Sequence, residues 1–95
     1  MSAYVIVNVD VKDAAAYEEY KTRVPHLIRK HGGEYLVRGG NHVVLEGQWR
    51  PHRLVIFRFP DIASAERLFA DPEYAPLRAL RQSVSTADIV AVEGV

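Results

Sequence analysis

The sequence predicts one α+β domain over residues 1–95, a ferredoxin-like βαββαβ sandwich with an antiparallel sheet. Short runs rich in β-branched and aromatic residues alternate with longer helical stretches, in the order strand, helix, strand, strand, helix, strand. Pairs of glycines and single prolines mark the boundaries between these runs. A chain of 95 residues without an internal repeat or a linker has the size of a single domain.

The first strand and the first helix follow from local residue types. Residues 3–9 are mostly β-branched or aromatic, which favours a strand. Asp13 can cap a helix that extends to about His31, with a kink expected at Pro25, and Gly32-Gly33 can end it. One apolar stripe at helical spacing lies along this helix: Tyr17, Tyr20, Val24, Leu27, Ile28 and His31.

Two further strands are predicted in the middle of the chain. Residues 34–38 form the second strand, which Gly39-Gly40 ends. Residues 43–46 form a short extended piece outside the main strands. Residues 53–59 alternate well enough to form a central strand of the sheet.

The last third of the chain predicts more helix and a final strand. One helix covers residues 62–70. Another begins at Asp71, with Asp71 as its N-cap, Pro72 at the first helical position and Glu73 near the positive end of the helix dipole. Residues 87–93 form the last strand and complete the predicted order.

Both faces of the central strands are apolar. In the first strand, Val5 and Val7 alternate with Tyr4 and Ile6, and residues 53–59 show the same pattern. The helices of this topology cover only one face, so the other face needs a different cover. A small domain also gains from a partner subunit because it buries little surface alone. We therefore expect a homodimer in which two sheets pack into a barrel-like core.

The overall composition excludes several classes of function. Twelve basic and twelve acidic residues cancel, so no charge excess favours nucleic acid or an anionic membrane as a partner. The chain has no cysteine, which excludes disulfides, thiolate nucleophiles and cysteine-ligated zinc. The N-terminus resembles a strand rather than a signal peptide, and no apolar run has membrane-spanning length. We expect a cytoplasmic protein.

Residues 38–53 are the most informative stretch of the chain. They hold three glycines, two histidines, the only tryptophan and three arginines, which indicates a surface that faces a ligand or a partner. Arg38 ends a strand and precedes Gly39 and Gly40, which let the backbone turn with a positive φ and approach a ligand closely. A fixed guanidinium at this place suits a carboxylate or an enolate oxygen.

Other side chains of the same stretch have both a functional and a structural interpretation. Arg38 could instead form a salt bridge to Glu46 or Glu34 that braces the hairpin. His42 could take or give a proton, with Glu46 orienting it, or it could face solvent in a loop. Trp49 could line the ligand pocket, or it could serve as a packed anchor at the dimer contact or a lid.

Two tyrosines of the first helix are further candidates. Tyr17 and Tyr20 are three residues apart, so they point the same way from the helix. If that side faces the sheet, their hydroxyls end in the helix–sheet cleft and could hold a ligand oxygen. The alternative is that both are ordinary core tyrosines with one hydroxyl partner each.

No metal or cofactor is expected. His26 and His31 are five residues apart, which places them on different helix faces, and no paired-histidine helix motif exists. The glycine pairs lack the spacing of a phosphate loop or a dinucleotide fingerprint. The chain also has no serine in a nucleophile-elbow motif. No histidine stands out as an axial ligand of a haem.

A set of residues spread over almost the whole chain resembles a known family. The set comprises Tyr4-Val5-Ile6-Val7, Tyr17, Tyr20, Gly33, Arg38-Gly39-Gly40, Glu46-Gly47, Trp49-Arg50-Pro51, Arg53, Phe59-Pro60, Asp71-Pro72-Glu73-Tyr74, Leu77, Arg81 and Val92-Glu93-Gly94-Val95. Together these residues resemble the domain of unknown function 1330 family, within the dimeric α+β-barrel superfamily. The resemblance implies a ferredoxin-like fold and a dimer, but no established activity. Superfamily relatives include cofactor-free monooxygenases, haem-dependent enzymes and muconolactone-type isomerases, and those that are enzymes tend to place the ligand between sheet and helices.

Three functions are compatible with these observations. The first is a cofactor-independent enzyme that acts by proton transfer or oxygenation on a small oxygenated or carboxylate molecule in the cleft. In that case Arg38 would hold the anion, and His42 or Tyr17 would move the proton. The second is a non-catalytic module that binds such a molecule. The third is a structural homodimer subunit without a ligand.

Overall fold

The computed structural model describes all 95 residues and shows the predicted ferredoxin-like α+β architecture. The elements are β1 (Ala3–Val11), α1 (Ala14–Arg23), α2 (Pro25–Lys30), β2 (Glu34–Arg38), β3 (Arg53–Phe59), α3 (Ile62–Ala70), α4 (Tyr74–Val84) and β4 (Ser85–Glu93). The sheet is antiparallel with the strand order β2-β3-β1-β4. The helices pack on one face of the sheet, called here the inner face, and leave the opposite, outer face without a helix.

Strand β1 lies at the centre of the sheet and organises the core. It pairs with β3 from Ala3 opposite Phe59 to Val9 opposite Arg53, and with β4 on its other side. Its inner-face residues Val5, Val7 and Val9 are buried beneath the helices. Burial of such β-branched side chains on one face fixes the register, because a slip of one residue would turn them outwards.

The helix predicted to extend to His31 breaks at Val24, which confirms the kink expected near Pro25. Helix α1 ends at Arg23, and α2 begins with Pro25 at its first position. The Val24 amide still donates to the Tyr20 carbonyl at 3.1 Å. The helix breaks immediately after it because Pro25 has no backbone N–H to donate. The change of direction lets α1 and α2 both bury apolar side chains.

Residues 39–52 form neither helix nor strand. The short extended piece predicted at 43–46 is therefore not part of the sheet, because no strand lies beside it to pair with. Val43 and Leu45 of this segment are exposed. The long connection between β2 and β3 is a surface segment with apolar side chains in solvent.

The start of α4 also differs from the prediction. Asp71 is not its N-cap, since the helix begins at Tyr74 and Asp71 closes α3. The Asp71 carbonyl accepts the Tyr74 amide at 2.8 Å, and its Oδ1 accepts the Glu73 amide at 2.9 Å. Asp71 therefore stabilises a turn that joins the two helices, and the helical hydrogen bonds begin only after this turn. Strand β4 begins at Ser85, earlier than predicted, because β1 extends to Val11 and pairs with it.

The middle of the outer face is apolar, as predicted, although Asn8, Arg58 and Asp88 also lie on this face. Ile6 lies between its register partners Ile56 of β3 and Val90 of β4. Val90 is 60% exposed and Val92 is 47% exposed in the single chain. Both faces of the central strands thus carry apolar residues, and only the inner face is covered. Separately, none of the helices is both long enough and apolar enough to cross a membrane.

A partly exposed charge cluster around Asp71 connects the end of α2 to the turn before α4. Lys30 Nζ lies 2.9 Å and His31 Nε2 lies 2.8 Å from Asp71 Oδ2. Hydrogen bonds from Lys30, from His31 and from the Glu73 amide hold the pKa of Asp71 well below its usual range. The Asp71 carboxylate therefore stabilises the fold in its charged form.

Replacing Asp71→Asn is expected to lower the midpoint of thermal unfolding at neutral pH, because Lys30 and His31 lose their charged acceptor. The folded-state pKa of Asp71 is lowered, so its contribution is fully present above the unfolded pKa of about 3.9 and is lost as the pH falls below it. The difference between wild type and variant should shrink over this acidic range in circular dichroism melts. Glu66→Gln, at an exposed position of α3, is the control. A difference that stays constant with pH would show that the charge of Asp71 does not matter.

Candidate functional site

A partly enclosed cavity of about 50 Å³ lies between the inner face of the sheet and the helices. Most of its wall is apolar, with Val5 and Val7 of β1 among the residues that form it. The polar part of the wall consists of four tyrosines and four basic residues: Tyr17, Tyr20, Tyr35, Tyr74, Lys21, Arg38, Arg53 and Arg81. No aspartate, glutamate or histidine lines it. The cavity is thus apolar in its walls and positive in its charges.

Arg81 is the innermost of these cations. It lies on α4 and is only 7% exposed, and no carboxylate forms an ion pair with it. Its Nε is the one buried side-chain polar atom without a hydrogen-bond partner. A buried guanidinium without an anion is costly, so its presence at a cavity wall needs an explanation.

Two phenol groups lie beside Arg81 at the same end of the cavity. The hydroxyls of Tyr20 and Tyr74 are 3.0 Å apart and form a hydrogen bond between α1 and α4. Burial raises the pKa of Tyr20, and the neighbouring Tyr74 raises it further. The raised pKa of Tyr20 means that this phenol keeps its proton at neutral pH and can donate a hydrogen bond to an anion.

Tyr17 lies between this inner end and the cavity mouth. Burial raises the pKa of Tyr17, while Arg53 and Arg81 act in the opposite direction. The Arg53 guanidinium carbon is 6.0 Å from the centre of the Tyr17 ring. Because its pKa is raised, Tyr17 keeps its proton at neutral pH and is suited to donate a hydrogen bond rather than to act as a base.

Arg38 and Arg53 lie at the more exposed side of the cavity. Arg53 Nη2 is 3.5 Å from the Arg38 carbonyl, and the Arg38 guanidinium carbon lies 4.4 Å over the Tyr35 ring. The salt bridges considered for Arg38 do not form, since Glu34 pairs with Arg58 and Glu46 has no ion-pair partner. Arg38 is therefore free to contact a ligand.

An irregularity in β2 directs Arg38 towards the cavity. Tyr35 pairs with Phe57, whereas Arg38 pairs with Val55, and the register shifts between Tyr35 and Val37. In a regular strand, residues three apart point to opposite faces. The bulge brings Tyr35 and Arg38 to the same, inner face, where both line the cavity.

The two glycines after Arg38 have different surroundings. Gly39 adopts a φ of +75°, and a Cβ there would lie 2.6 Å from Nε of Arg53. Glycine at this position therefore allows both the turn and the approach of Arg53. Gly40 has no positive φ and no atom within 4 Å of its Cβ position, so the fold itself does not require glycine there, and its approach to a ligand stays a prediction from the sequence.

Gly39, Gly40 and three further predicted site residues do not line the cavity in the single chain. His42 is exposed, with its Nε2 3.1 Å from the Pro51 carbonyl. Glu46 is exposed, and Trp49 is 59% exposed. All three lie in the segment 39–52, which leaves the sheet edge and does not fold back over the cleft. Sequence proximity to Arg38 therefore did not place them in its pocket.

Arg38, Tyr17 and Tyr20 were predicted from the sequence and line the cavity, whereas other cavity residues were not predicted. Tyr35 and Arg53 flank the predicted turn, and only the strand pairing shows that they face the cavity. Arg81 gave a clearer signal, because its spacing from Tyr74, Leu77 and Val84 places it on the same, buried face of α4. An arginine on the apolar face of a helix indicates a buried charge that needs a partner.

The whole chain was compared with known families and structures. The family model named Domain of unknown function (DUF1330) matches residues 2–95. RPA0582, a protein of unknown function from Rhodopseudomonas palustris, has 18% identity and a TM-score of 0.81, with 99% of this chain and 82% of that chain covered. SnoaB, a cofactor-independent oxygenase from Streptomyces nogalater, has 14% identity and a TM-score of 0.67, with 99% and 93% covered.

A solved antibiotic biosynthesis monooxygenase is also similar, at 15% identity and a TM-score of 0.59, with 100% of this chain and 99% of that chain covered. At these identities the likeness establishes the fold alone. No curated protein matches the chain. The match over residues 2–95 agrees with the resemblance seen in the sequence, and the chain belongs to the DUF1330 family.

Proposed function

We propose that the protein binds a small organic anion, a carboxylate or an enolate, in the cavity between its sheet and helices. The observation that carries this proposal is the charge of the wall: Arg38, Arg53 and Arg81 line one mostly apolar cavity that contains no acidic side chain. Guanidinium groups bind carboxylates through two parallel hydrogen bonds, and a low-polarity wall strengthens that attraction. An organic anion with an apolar body satisfies both parts of the site.

A cofactor-independent reaction in this cavity is the first candidate activity. SnoaB, which shares the fold, is a cofactor-independent oxygenase, and this supports proton transfer or oxygenation as the chemistry. The arginines and neutral phenols would stabilise an enolate oxygen as charge develops on it. Arg38 would hold the anion and Tyr17 would donate a hydrogen bond to it. His42 as a proton carrier stays a prediction from the sequence.

Binding without turnover is the second candidate, and a specific observation favours it. The cavity wall has no carboxylate and no histidine, and the pKa of Tyr17, of Tyr20 and of Tyr35 is raised by burial. A general base that works near neutral pH is therefore missing from the wall of the single chain. Such a cavity holds an anion without removing a proton from it.

Two copies of the chain are proposed to pair through the outer face of the sheet. Ile6, Ile56 and Val90 form an apolar row across β3, β1 and β4, and no helix covers it. Contiguous apolar surface of this kind marks an interaction site, and an identical face on a second copy matches it in shape and polarity. A structural role as a homodimer subunit is compatible with this pairing. The cytoplasmic location stays a prediction from the sequence.

If the protein binds small organic acids, some members of a panel of such acids should raise its midpoint of thermal unfolding. Arg38→Ala should lower the affinity for the acids that bind by about tenfold or more. The reason is the loss of a charged hydrogen-bond donor at the cavity mouth. Isothermal titration calorimetry measures the affinities. Arg29→Ala is the matched control, because Arg29 is exposed on α2 and does not line the cavity. Equal affinity in wild type and Arg38→Ala would exclude Arg38 as a ligand contact.

Turnover is tested on the acids that bind. Each is incubated with the protein in air and analysed by mass spectrometry, while an oxygen electrode records oxygen uptake. Conversion of a bound acid supports the enzyme, with oxygen uptake indicating oxygenation and its absence indicating proton transfer. Recovery of every bound acid unchanged supports the binding module instead.

The pairing proposal predicts that light scattering at micromolar concentration gives about twice the chain mass of 10.7 kDa. Val90→Glu places a charge at the exposed end of the apolar row, on the edge strand β4, and is expected to give the mass of one chain. Ala79→Glu adds the same charge at an exposed position of α4 and should leave the dimer intact. A wild-type protein that scatters as one chain would exclude the pairing.

A further inference from the structure

Arg81 lacks a counter-charge from every element that packs around it. Its aromatic neighbours come from α1 and from the start of α4, and these are Tyr17, Tyr20 and Tyr74. The acid in the turn before α4, Asp71, is already bound by Lys30 and His31. The chain therefore supplies phenols but no anion to this guanidinium.

The hydrogen-bonding capacity around Arg81 is incomplete in a way that fits a carboxylate. Its Nε is buried and has no acceptor. When one hydroxyl of the Tyr20–Tyr74 pair donates to the other across 3.0 Å, the second hydroxyl still has a hydrogen to donate. A carboxylate offers about four lone-pair sites on two oxygens, so it can accept from the guanidinium and from a phenol together.

The enclosed volume limits what can follow that carboxylate. A cavity of about 50 Å³ holds roughly four water molecules. This is room for a carboxylate and a short stem of carbon atoms against apolar walls. Any further part of the ligand must extend towards the mouth, where Arg53 is half-buried and Arg38 is exposed. A second anionic group on the ligand would meet these two cations.

From this arrangement we infer that Arg81, Tyr20 and Tyr74 form an inner anion subsite, and that the ligand is a short organic diacid. One carboxylate binds at the inner subsite, the carbon stem lies against the apolar walls, and the second carboxylate lies between Arg38 and Arg53. This inference rests on the proposed binding function and adds to it the binding residue Arg81 and the class of ligand. Arg81 is a binding residue here, since it contacts the ligand directly.

The test uses titration calorimetry of the full chain at constant ionic strength with four probes: glutarate, butyrate, 1-butanol and inorganic phosphate. Glutarate should bind more tightly than butyrate, and butanol and phosphate should not bind. Arg81→Met should lower the affinity for glutarate and for butyrate by about tenfold or more, because both ligands lose the contact with Arg81. Arg38→Ala should weaken the binding of glutarate more than the binding of butyrate, because only glutarate has a second carboxylate to place beside Arg38.

The matched control is Arg23→Met, the same change at an exposed residue of α1 that pairs with Glu19 and does not line the cavity. It should leave both affinities unchanged. Circular dichroism verifies that each variant folds. If Arg81→Met does not fold, the double variant Tyr20→Phe and Tyr74→Phe decides, and a severalfold loss of affinity is expected.

The outcomes separate this inference from the proposed function. Unchanged affinity in Arg81→Met, or in the double phenylalanine variant, overturns the inner subsite while the binding function stands. Binding of larger acids without binding of glutarate overturns the diacid class only. Wild-type protein that binds no acid of any kind overturns the proposed function itself.

Discussion

The alternation of apolar side chains along β1 is the constraint on which the molecule depends. This strand pairs on both sides, so its two faces set the two faces of the whole sheet. Val5 and Val7 point towards the helices and form part of the cavity wall, while Ile6 points to the uncovered face. A slip of one residue would exchange these roles and would remove both the cavity wall and the outer apolar row. Fold and site therefore share one determinant.

The cavity places charged groups beside apolar walls, which is energetically unfavourable in the absence of a ligand. Three guanidinium groups face a mostly apolar space, and the buried one has neither a carboxylate nor an acceptor for its Nε. Such an arrangement reduces stability, and natural proteins keep it where binding or catalysis requires it. The ion pairs that stabilise the fold, such as the contact between Lys30 and Asp71, lie outside the cavity. The charged residues that stabilise the fold are thus different from the arginines that line the cavity.

The sequence predicted the elements of the fold well because periodicity and breakers act locally. The valines of β1 and the position of Pro25 determined a strand and a helix break without reference to the rest of the chain. The start of α4 was misplaced because Asp71 has two local roles, an N-cap or a turn residue, and the sequence does not distinguish them. Its contact with Lys30 and His31 links residues far apart in the chain, and only the packed structure shows it.

The site was predicted in part, and the missing part has a geometric cause. Arg38 was identified from its position before two glycines, but regular alternation does not place it on the same face as Tyr35. Arg81 lies on a different element and reaches the cavity only because α4 packs beside α1. His42 and Trp49 were expected nearby from their short sequence separation, yet the segment 39–52 leads away from the cleft. Closeness along the chain does not substitute for strand register.

The bulge in β2 has a consequence for how the length of this region can vary among relatives. Deleting one residue between Tyr35 and Arg38 would remove the bulge yet leave the two residues two apart, on the same face of a regular strand. Straightening β2 at its present length would leave them three apart and turn the guanidinium away from the cleft. Beyond Gly39 the chain enters an irregular surface segment, where added residues change loop length at little thermodynamic cost. Homologues should therefore tolerate insertions after Gly39, and before it they should keep either the bulge or a strand that is one residue shorter.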